Sequence, residues 1–408
     1  MRIKRSNILK LLFLILLILS LNSVALFAQE NEAESSAADS ADAALEAELA
    51  KMMLEDQGSS KPVLRSSVQI PTAAGGGISN MNPNIGLISK FSGDALANGE
   101  AEIGKGERSP EGFNFHEVEL SFQMVIDPYA RADFFIAFLP EEGEVELEEA
   151  FITVFSLPFD LRAKAGIIRT KFGRLNPIHP PEVVFVDYPM PLEMYFGGEG
   201  LVGTGVSMSY LIPNKWDLFW EATFEVTNGD NDIIFNGNST NDMAYNGHFS
   251  SFFDLGDNSA LLLGGTAMTG INDTLGLYRT NVYGIDLTYK WKPLRRQLYK
   301  SFTWQTEFFF LDMEGAAPEN IKATGFYSYM EYQLGRRWFV LGRYDRAELT
   351  DNPGNADEKY VAALTYFPSN FQTIRLQSTT SKDFAGESST LVSLQWNFVI
   401  GAHGAHIY

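Results

Sequence analysis

From about residue 84 to residue 400 the chain repeats one pattern, apolar and polar side chains alternating over stretches longer than an ordinary strand. Phe113 to Asp127 sets Val118, Leu120, Phe122, Met124 and Ile126 against Glu117, Glu119, Ser121 and Gln123. Trp216 to Val226 sets Trp216, Leu218, Trp220, Ala222, Phe224 and Val226 against Asp217, Glu221, Thr223 and Glu225, with only Phe219 out of step. Tyr283 to Trp291 and Val392 to Ile400 repeat it. Period-two alternation marks a strand with one apolar and one wet face. Sixteen such strands are predicted, near 84–93, 113–127, 130–140, 145–157, 161–173, 200–212, 215–228, 243–255, 259–270, 279–292, 299–312, 321–334, 336–348, 356–367, 372–381 and 388–400. Each reaches the ~9 to 11 residues with which a tilted strand crosses a bilayer, against ~5 to 6 in soluble sheets. The fold class is therefore all-β, a transmembrane antiparallel β-barrel of about 16 strands.

The connections sharpen this. Those after even-numbered strands are mostly tight, as at Asp127-Pro128-Tyr129, Ile212-Pro213-Asn214 and Pro368-Ser369-Asn370. Those after odd-numbered strands are mostly long: 94–112, 174–199, 229–242, 271–278, 313–320, 349–355 and 382–387. The connections 141–144 and 292–300 depart from the rule. On the apolar face Tyr210, Trp216, Trp291, Tyr332, Trp338 and Tyr366 all fall beside tight turns, as an interfacial aromatic girdle would. A soluble β-sandwich accounts for the alternation but not for the two kinds of rim.

Export is written at the start of the chain. MRIKRSNILK, an apolar run from Leu11 to Leu21, and the small residues Ser23, Ala25 and Ala28 read as a signal peptide over 1–28, cleaved after Ala25 or Ala28. Residues 29–83 read as a periplasmic acidic segment, a short helix at Ala41–Gln57 and a Gly/Ser/Pro linker, leaving 84–408 for the barrel. No cysteine is present, so disulfides and thiolate metal sites are excluded. The formal charge is −20, and −24 once the four basic residues of the signal are removed, which argues against nucleic acid as a partner.

Between strands five and six lies a loop, 174–199, rich in proline and aromatic residues. Its length and its Tyr188, Met190, Leu192, Tyr195 and Phe196 imply that it folds against something, and the barrel lumen is what is available. Glu182, Asp187, Glu193 and Glu199 are expected to face the water path and constrict it. Arg162, Lys164, Arg169, Lys171 and Arg174 precede them, and bases opposed to carboxylates would set up a transverse field. Parity places Arg162 and Lys164 on one face and Arg169 and Lys171 on the other, so the later pair reaches the pore only past a bulge or beyond the membrane. Gly203 and Gly205 are expected to leave room for the loop against the wall.

Other chemistry is weakly signalled. The five histidines, His116, His179, His248, His403 and His406, make no zinc spacing. No nucleophile elbow is present, GGEGLVGTG lacks the strand-to-helix setting of a phosphate cradle, and neither an enzyme activity nor a cofactor is expected.

The stretch Ala165–Gly205, with AGIIRTKFGRLN, VDYPMP and GGEGLVGTG, resembles the corresponding region of the phosphate-selective porin O and P family of bacterial outer-membrane porins. The terminal Tyr408 is similar to the closing aromatic of many such barrels. The resemblance implies sixteen strands and a location in the bacterial outer membrane. That family draws phosphate through arginine and lysine ladders, whereas this chain has an acidic excess, so no ligand residue is carried over. The expected function is passive diffusion of small hydrophilic solutes or ions through a loop-constricted pore, with mild cation preference. The expected partners are outer-membrane lipid and those solutes, with a homotrimer as an open arrangement and no nucleic acid. The alternatives are a TonB-dependent-type receptor, which needs about 22 strands and a plug, and a non-conducting structural barrel.

Overall fold

The structure is a computed structural model of the 408-residue chain. It describes residues 83–401 apart from 100–110, 142, 199, 217, 232, 238–241, 297 and 316–319. The expected signal peptide, the helix at 41–57, Glu199, Asp217, His403, His406 and Tyr408 lie outside the described residues.

Sixteen strands close on themselves. They are β1 (Asn84–Asn98), β2 (Gly112–Asp127), β3 (Ala130–Leu139), β4 (Glu144–Val154), β5 (Leu161–Arg169), β6 (Val202–Leu211), β7 (Phe219–Thr227), β8 (Ala244–Asp254), β9 (Ser259–Ile271), β10 (Arg279–Trp291), β11 (Phe302–Met313), β12 (Ile321–Gly335), β13 (Trp338–Glu348), β14 (Ala356–Ser369), β15 (Gln372–Lys382) and β16 (Ser388–Gly401). Each pairs antiparallel with its neighbours in sequence, and β1 pairs β16, Leu87 opposite Ile400 and Phe91 opposite Trp396. Closure satisfies every ladder without an open edge, the condition for a sheet in hydrocarbon. No helix among the described residues is long and apolar enough to cross a membrane, and the crossing is made by strands.

Alternation sorts the two faces as the pattern demands. Phe134, Ile152, Val206, Phe224, Tyr283, Ile285, Phe308 and Met330 point outward and stay exposed, the surface a bilayer covers. Inward, Asp286 sits between Gly264 and Glu307 on the adjoining strands, and Arg343 lies opposite Tyr329. The tight-turn rim carries the expected girdle, with Trp338 and Tyr366 rings 4.5 Å apart and Trp216 beside Trp220 at 5.3 Å. A second group stands toward the other rim, where Phe326, Tyr344 and Tyr360 contact in series at 5.6 and 5.0 Å. Aromatics therefore mark both ends of the belt, not one.

Bulges correct the parity. The β3–β4 register shifts between Phe135 and Ile136, so Glu148 and Glu149 both turn inward where alternation allows only one. The β1–β2 register shifts at Lys90/Phe91 and turns His116 toward Ser92 in the lumen.

Candidate functional site

Strand β5 ends at Arg169, four residues earlier than its pattern suggests, and the chain leaves the wall at Thr170. Asn176 fastens the base of the resulting loop: its Nδ2 donates to the carbonyls of Thr170 (2.7 Å) and Leu201 (3.0 Å), and its Oδ1 accepts from the Leu201 amide (2.7 Å). One side chain thereby replaces the ladder that the strand pair loses.

From there the loop runs round the inside of the barrel. The amides of Arg174 and Leu175 donate to Glu307 on β11, and that of Gly173 to Thr266 on β9. Asn397 on β16 donates to the Pro181 carbonyl, Gln377 on β15 accepts from the Val186 amide, and Asp345 on β13 accepts from the Met190 amide. A helix of seven residues, α1 (Met190–Phe196), closes the circuit. Its Tyr195 hydroxyl donates to the carbonyls of Thr324 and Glu348.

Apolar packing holds this path. Phe172, Phe185, Tyr188, Leu192, Tyr195 and Phe196 are buried against Val282, Phe309, Leu311, Tyr327 and Tyr329 of β10–β12. Phe172 stacks on Phe309 at 5.6 Å, and Phe185 meets Tyr329 edge-on at 5.3 Å. Ile234 and Phe235, from the next long connection, join the same core. The apolar triplet Ile233–Phe235 in an otherwise polar loop was the available sequence signal for that contribution. Burying side chains of this size contributes about 1.5–3 kcal/mol each, ample to keep the loop inside.

The glycines that admit it are not the expected ones. A Cβ at Gly205 would lie 2.0 Å from the Val226 carbonyl oxygen, and one at Gly203 would strike Thr227, so both serve the β6–β7 contact. The loop rests instead over Gly284, where a Cβ would meet Phe172, and Gly325, where it would meet Pro191 and Tyr195.

Among the described residues, three groups of charges gather round the loop, and Arg169, Lys171, Asp187 and Glu193 find partners on the wall strands. Arg169, with its side chain turned inward despite its parity, lies 3.6 Å from Glu148, and its amide donates to Glu149. Lys171 reaches across to Glu221 on β7 while its amide donates to Glu225. The loop carboxylates meet other partners: Asp187 accepts from Arg343 (2.9 Å) and Lys359 (3.0 Å), and Glu193 accepts from Lys359 (2.9 Å). Asp187 and Glu193 are thus neutralised acids, not free charges facing water. Parity could not show this, because Arg343 and Lys359 sit more than 150 residues along the chain from Asp187. Burial alone would raise the Asp187 pKa, but the Arg343 and Lys359 cations outweigh it and hold the carboxyl far below its usual range.

His179 anchors the loop on the opposite wall. Its Nδ1 lies 2.7 Å from Glu148 and 3.1 Å from Glu119, its Nε2 lies 2.8 Å from Glu149, and its ring packs on Phe135 at 4.6 Å. Burial works against the imidazolium, yet Glu119 and Glu148 raise its pKa well above the ordinary value. Of the remaining expected residues, Arg162 and Lys164 face the lumen on β5, Lys164 over the Phe151 ring at 4.4 Å. Arg174 is half-buried at the β9–β11 side, and Glu182 is half-buried on the short turn Pro180–Glu182.

A closed antiparallel barrel with an apolar outer belt, a charged interior and an inserted loop after β5 has the fold of the bacterial outer-membrane porins, and the outer membrane is its location. Among solved structures, the anion-selective porin of Comamonas acidovorans is similar at a TM-score of 0.56 and 12% identity, covering 78% of this chain and 99% of that one. The outer-membrane channel DcaP of Acinetobacter baumannii gives 0.55 and 10%, covering 81% and 100%. OprB of Pseudomonas putida gives 0.53 and 10%, covering 79% and 95%. No family model matches the chain. It belongs to the same family as an uncharacterized protein of Aquifex aeolicus (strain VF5), to which it is 30% identical over 355 residues, 76% of this chain and 74% of the relative. Sixteen strands, not about 22, set it apart from the receptor-type barrels.

Proposed function

We propose that this protein is an outer-membrane diffusion porin that passes small hydrophilic solutes or ions, its lumen narrowed by the segment 170–201. The observation that carries the reading is the wetness of the inner wall toward the tight-turn rim. There Arg131, Arg162, Lys164, Glu221, Lys290 and Glu331 face inward, none of them fully buried, and the Arg131 side chain is 42% exposed. A dry structural barrel would fill that volume with apolar side chains, since an unhydrated charge is costly.

Selectivity follows from the groups at the constriction. Three carboxylates, Glu119, Glu148 and Glu149, surround Arg169 and His179; Asp187, Glu193 and Asp345 surround Arg343 and Lys359; Glu221 and Glu225 surround Lys171. Each group holds one more acid than base. This supports a mild cation preference that fades as salt shortens the Debye length to ~3 Å at 1 M. A planar-bilayer recording in a KCl gradient tests both parts: stepwise conductance with a reversal potential favouring K⁺ is expected, and clear anion selectivity would overturn the preference. That second result would support the finer reading, a phosphate-selective porin, with Arg131 on β3 and Arg162 and Lys164 on β5, one strand apart, as the anion path.

A non-conducting barrel is the competing reading, favoured by the loop's contacts with wall strands on every side of the lumen. Absence of conductance from folded protein would establish it. A homotrimer belongs with the porin reading. Ala222, Gly247, Gly265 and Ala267 form a shallow apolar depression on the outer face beside Phe249 and Tyr283, and cross-linking in membranes tests it.

A further inference from the structure

Glu119, Glu148 and His179 bring one ligand atom each to a common point, all within 4.8 Å of one another, and all three residues are buried. We propose that they form a binding site for a divalent transition-metal ion of the zinc class, which pins the inserted loop to β2 and β4.

Three features of the geometry carry this. The first is Glu119. It is 1% exposed, and the group it meets is the His179 ring, whose Nδ1 lies 3.1 Å from it but 2.7 Å from Glu148, so two buried carboxylates share one ring nitrogen. One N–H cannot fully satisfy two buried carboxylates, and a bound cation would supply what is missing. The second is the environment of the ligands. The His179 Nε2 faces Glu149 at 2.8 Å, so an Nε2–H donated there leaves the Nδ1 lone pair directed at Glu119 and Glu148. A carboxylate that fixes the tautomer of a metal-binding histidine is the usual outer partner. Glu149 is itself oriented by the Arg169 amide at 2.7 Å, and the far oxygen of Glu148 by the Arg169 guanidinium at 3.6 Å.

The third is charge. With a divalent ion bound and His179 neutral, the three carboxylates Glu119, Glu148 and Glu149 are balanced by the ion and Arg169. With His179 protonated and no ion, one negative charge is left over. Two carboxylates and an imidazole with open positions suit zinc and its neighbours better than calcium or magnesium, which prefer all-oxygen shells.

Spacing along the chain could not reveal the set, because its members lie on β2, on a bulge of β4 and in the loop. The site does not depend on whether the barrel conducts. The test is calorimetric titration of folded, chelator-treated barrel with Zn²⁺, with Mg²⁺ and Ca²⁺ as comparators. Folding of every variant is checked by its heat-modifiable electrophoretic mobility. One Zn²⁺ per barrel is expected, bound at least tenfold more tightly than Mg²⁺ or Ca²⁺. Glu119→Gln and His179→Gln should each weaken it tenfold or more, and Glu331→Gln should leave it unchanged. A titration without a saturable one-to-one site, a site that does not prefer Zn²⁺, or an affinity that moves less than tenfold in either ligand variant overturns the proposal.

Discussion

Asp187→Asn should loosen the loop without unfolding the barrel. In the wild-type chain the carboxylate accepts from Arg343 and Lys359 at 2.9 and 3.0 Å and from Gln377. The Arg343 side chain is fully buried, and Lys359 is 11% exposed. Charge-assisted hydrogen bonds are worth ~1.5–3 kcal/mol each, and stripping one partner from a buried ion pair costs ~3–5 kcal/mol. Two things reduce that figure: Asp187 is 26% exposed, and Asp345 and Glu193 remain to receive the two cations. About 2–3 kcal/mol of loop anchoring should be lost. At 1.4 kcal/mol per tenfold, the displaced loop becomes up to about a hundredfold more populated. The chain has no native cysteine, so a single thiol at the buried Val183 position reports displacement through its labelling rate. The rate in Val183→Cys/Asp187→Asn should exceed that in Val183→Cys by more than tenfold, while Asp351→Asn, on an exposed loop, leaves it unchanged. A ratio under threefold would refute the anchoring role. The pH dependence has a definite sign. The folded-state carboxyl titrates below its unfolded value, so the contribution is fully present above about pH 4 and fades only as the pH falls further. Acidification from pH 7 to 5 should not raise the labelling rate through this contact.

Gly325→Ala places a methyl 2.9 Å from both Pro191 and Tyr195; it should weaken loop docking by about 1–3 kcal/mol, seen as faster labelling at position 183 with the barrel still folded. Gly205→Ala drives its methyl into the backbone of β7, so heat-modifiable mobility should show failed assembly instead; a folded Gly205→Ala barrel would contradict the contact. Ile285→Arg, at the midpoint of β10 on the outer face and 57% exposed, should cost about 2–4 kcal/mol in denaturant unfolding from lipid, and a neutral effect would argue against a lipid-facing surface. Thiols at Asp351 and Lys215, on the long-loop and tight-turn rims, should respectively label and fail to label on intact cells, and the reverse pattern would invert the topology.

The barrel was legible in the sequence because its two faces meet two solvents. Lipid outside and water or polar contacts inside force period-two alternation along every strand, and the rule is local enough to read residue by residue. Tyr283, Ile285 and Leu287 against Gly284, Asp286 and Thr288 state it within six positions. Strand number and the inequality of the rims were also local facts. That the loop after β5 is packed, not loose, was legible from its Tyr188, Tyr195 and Phe196, which have no place in water and are buried in the core. Where it packs, and which charge meets which, only the closed barrel decided. Closure brings β13 and β14 within reach of Asp187, and β2 and β4 within reach of His179, and no spacing along the chain encodes such distances. The β4 bulge adds the other limit: one extra residue reverses parity, which sends Glu149 inward beside Glu148 and makes the His179 cluster a property of the register.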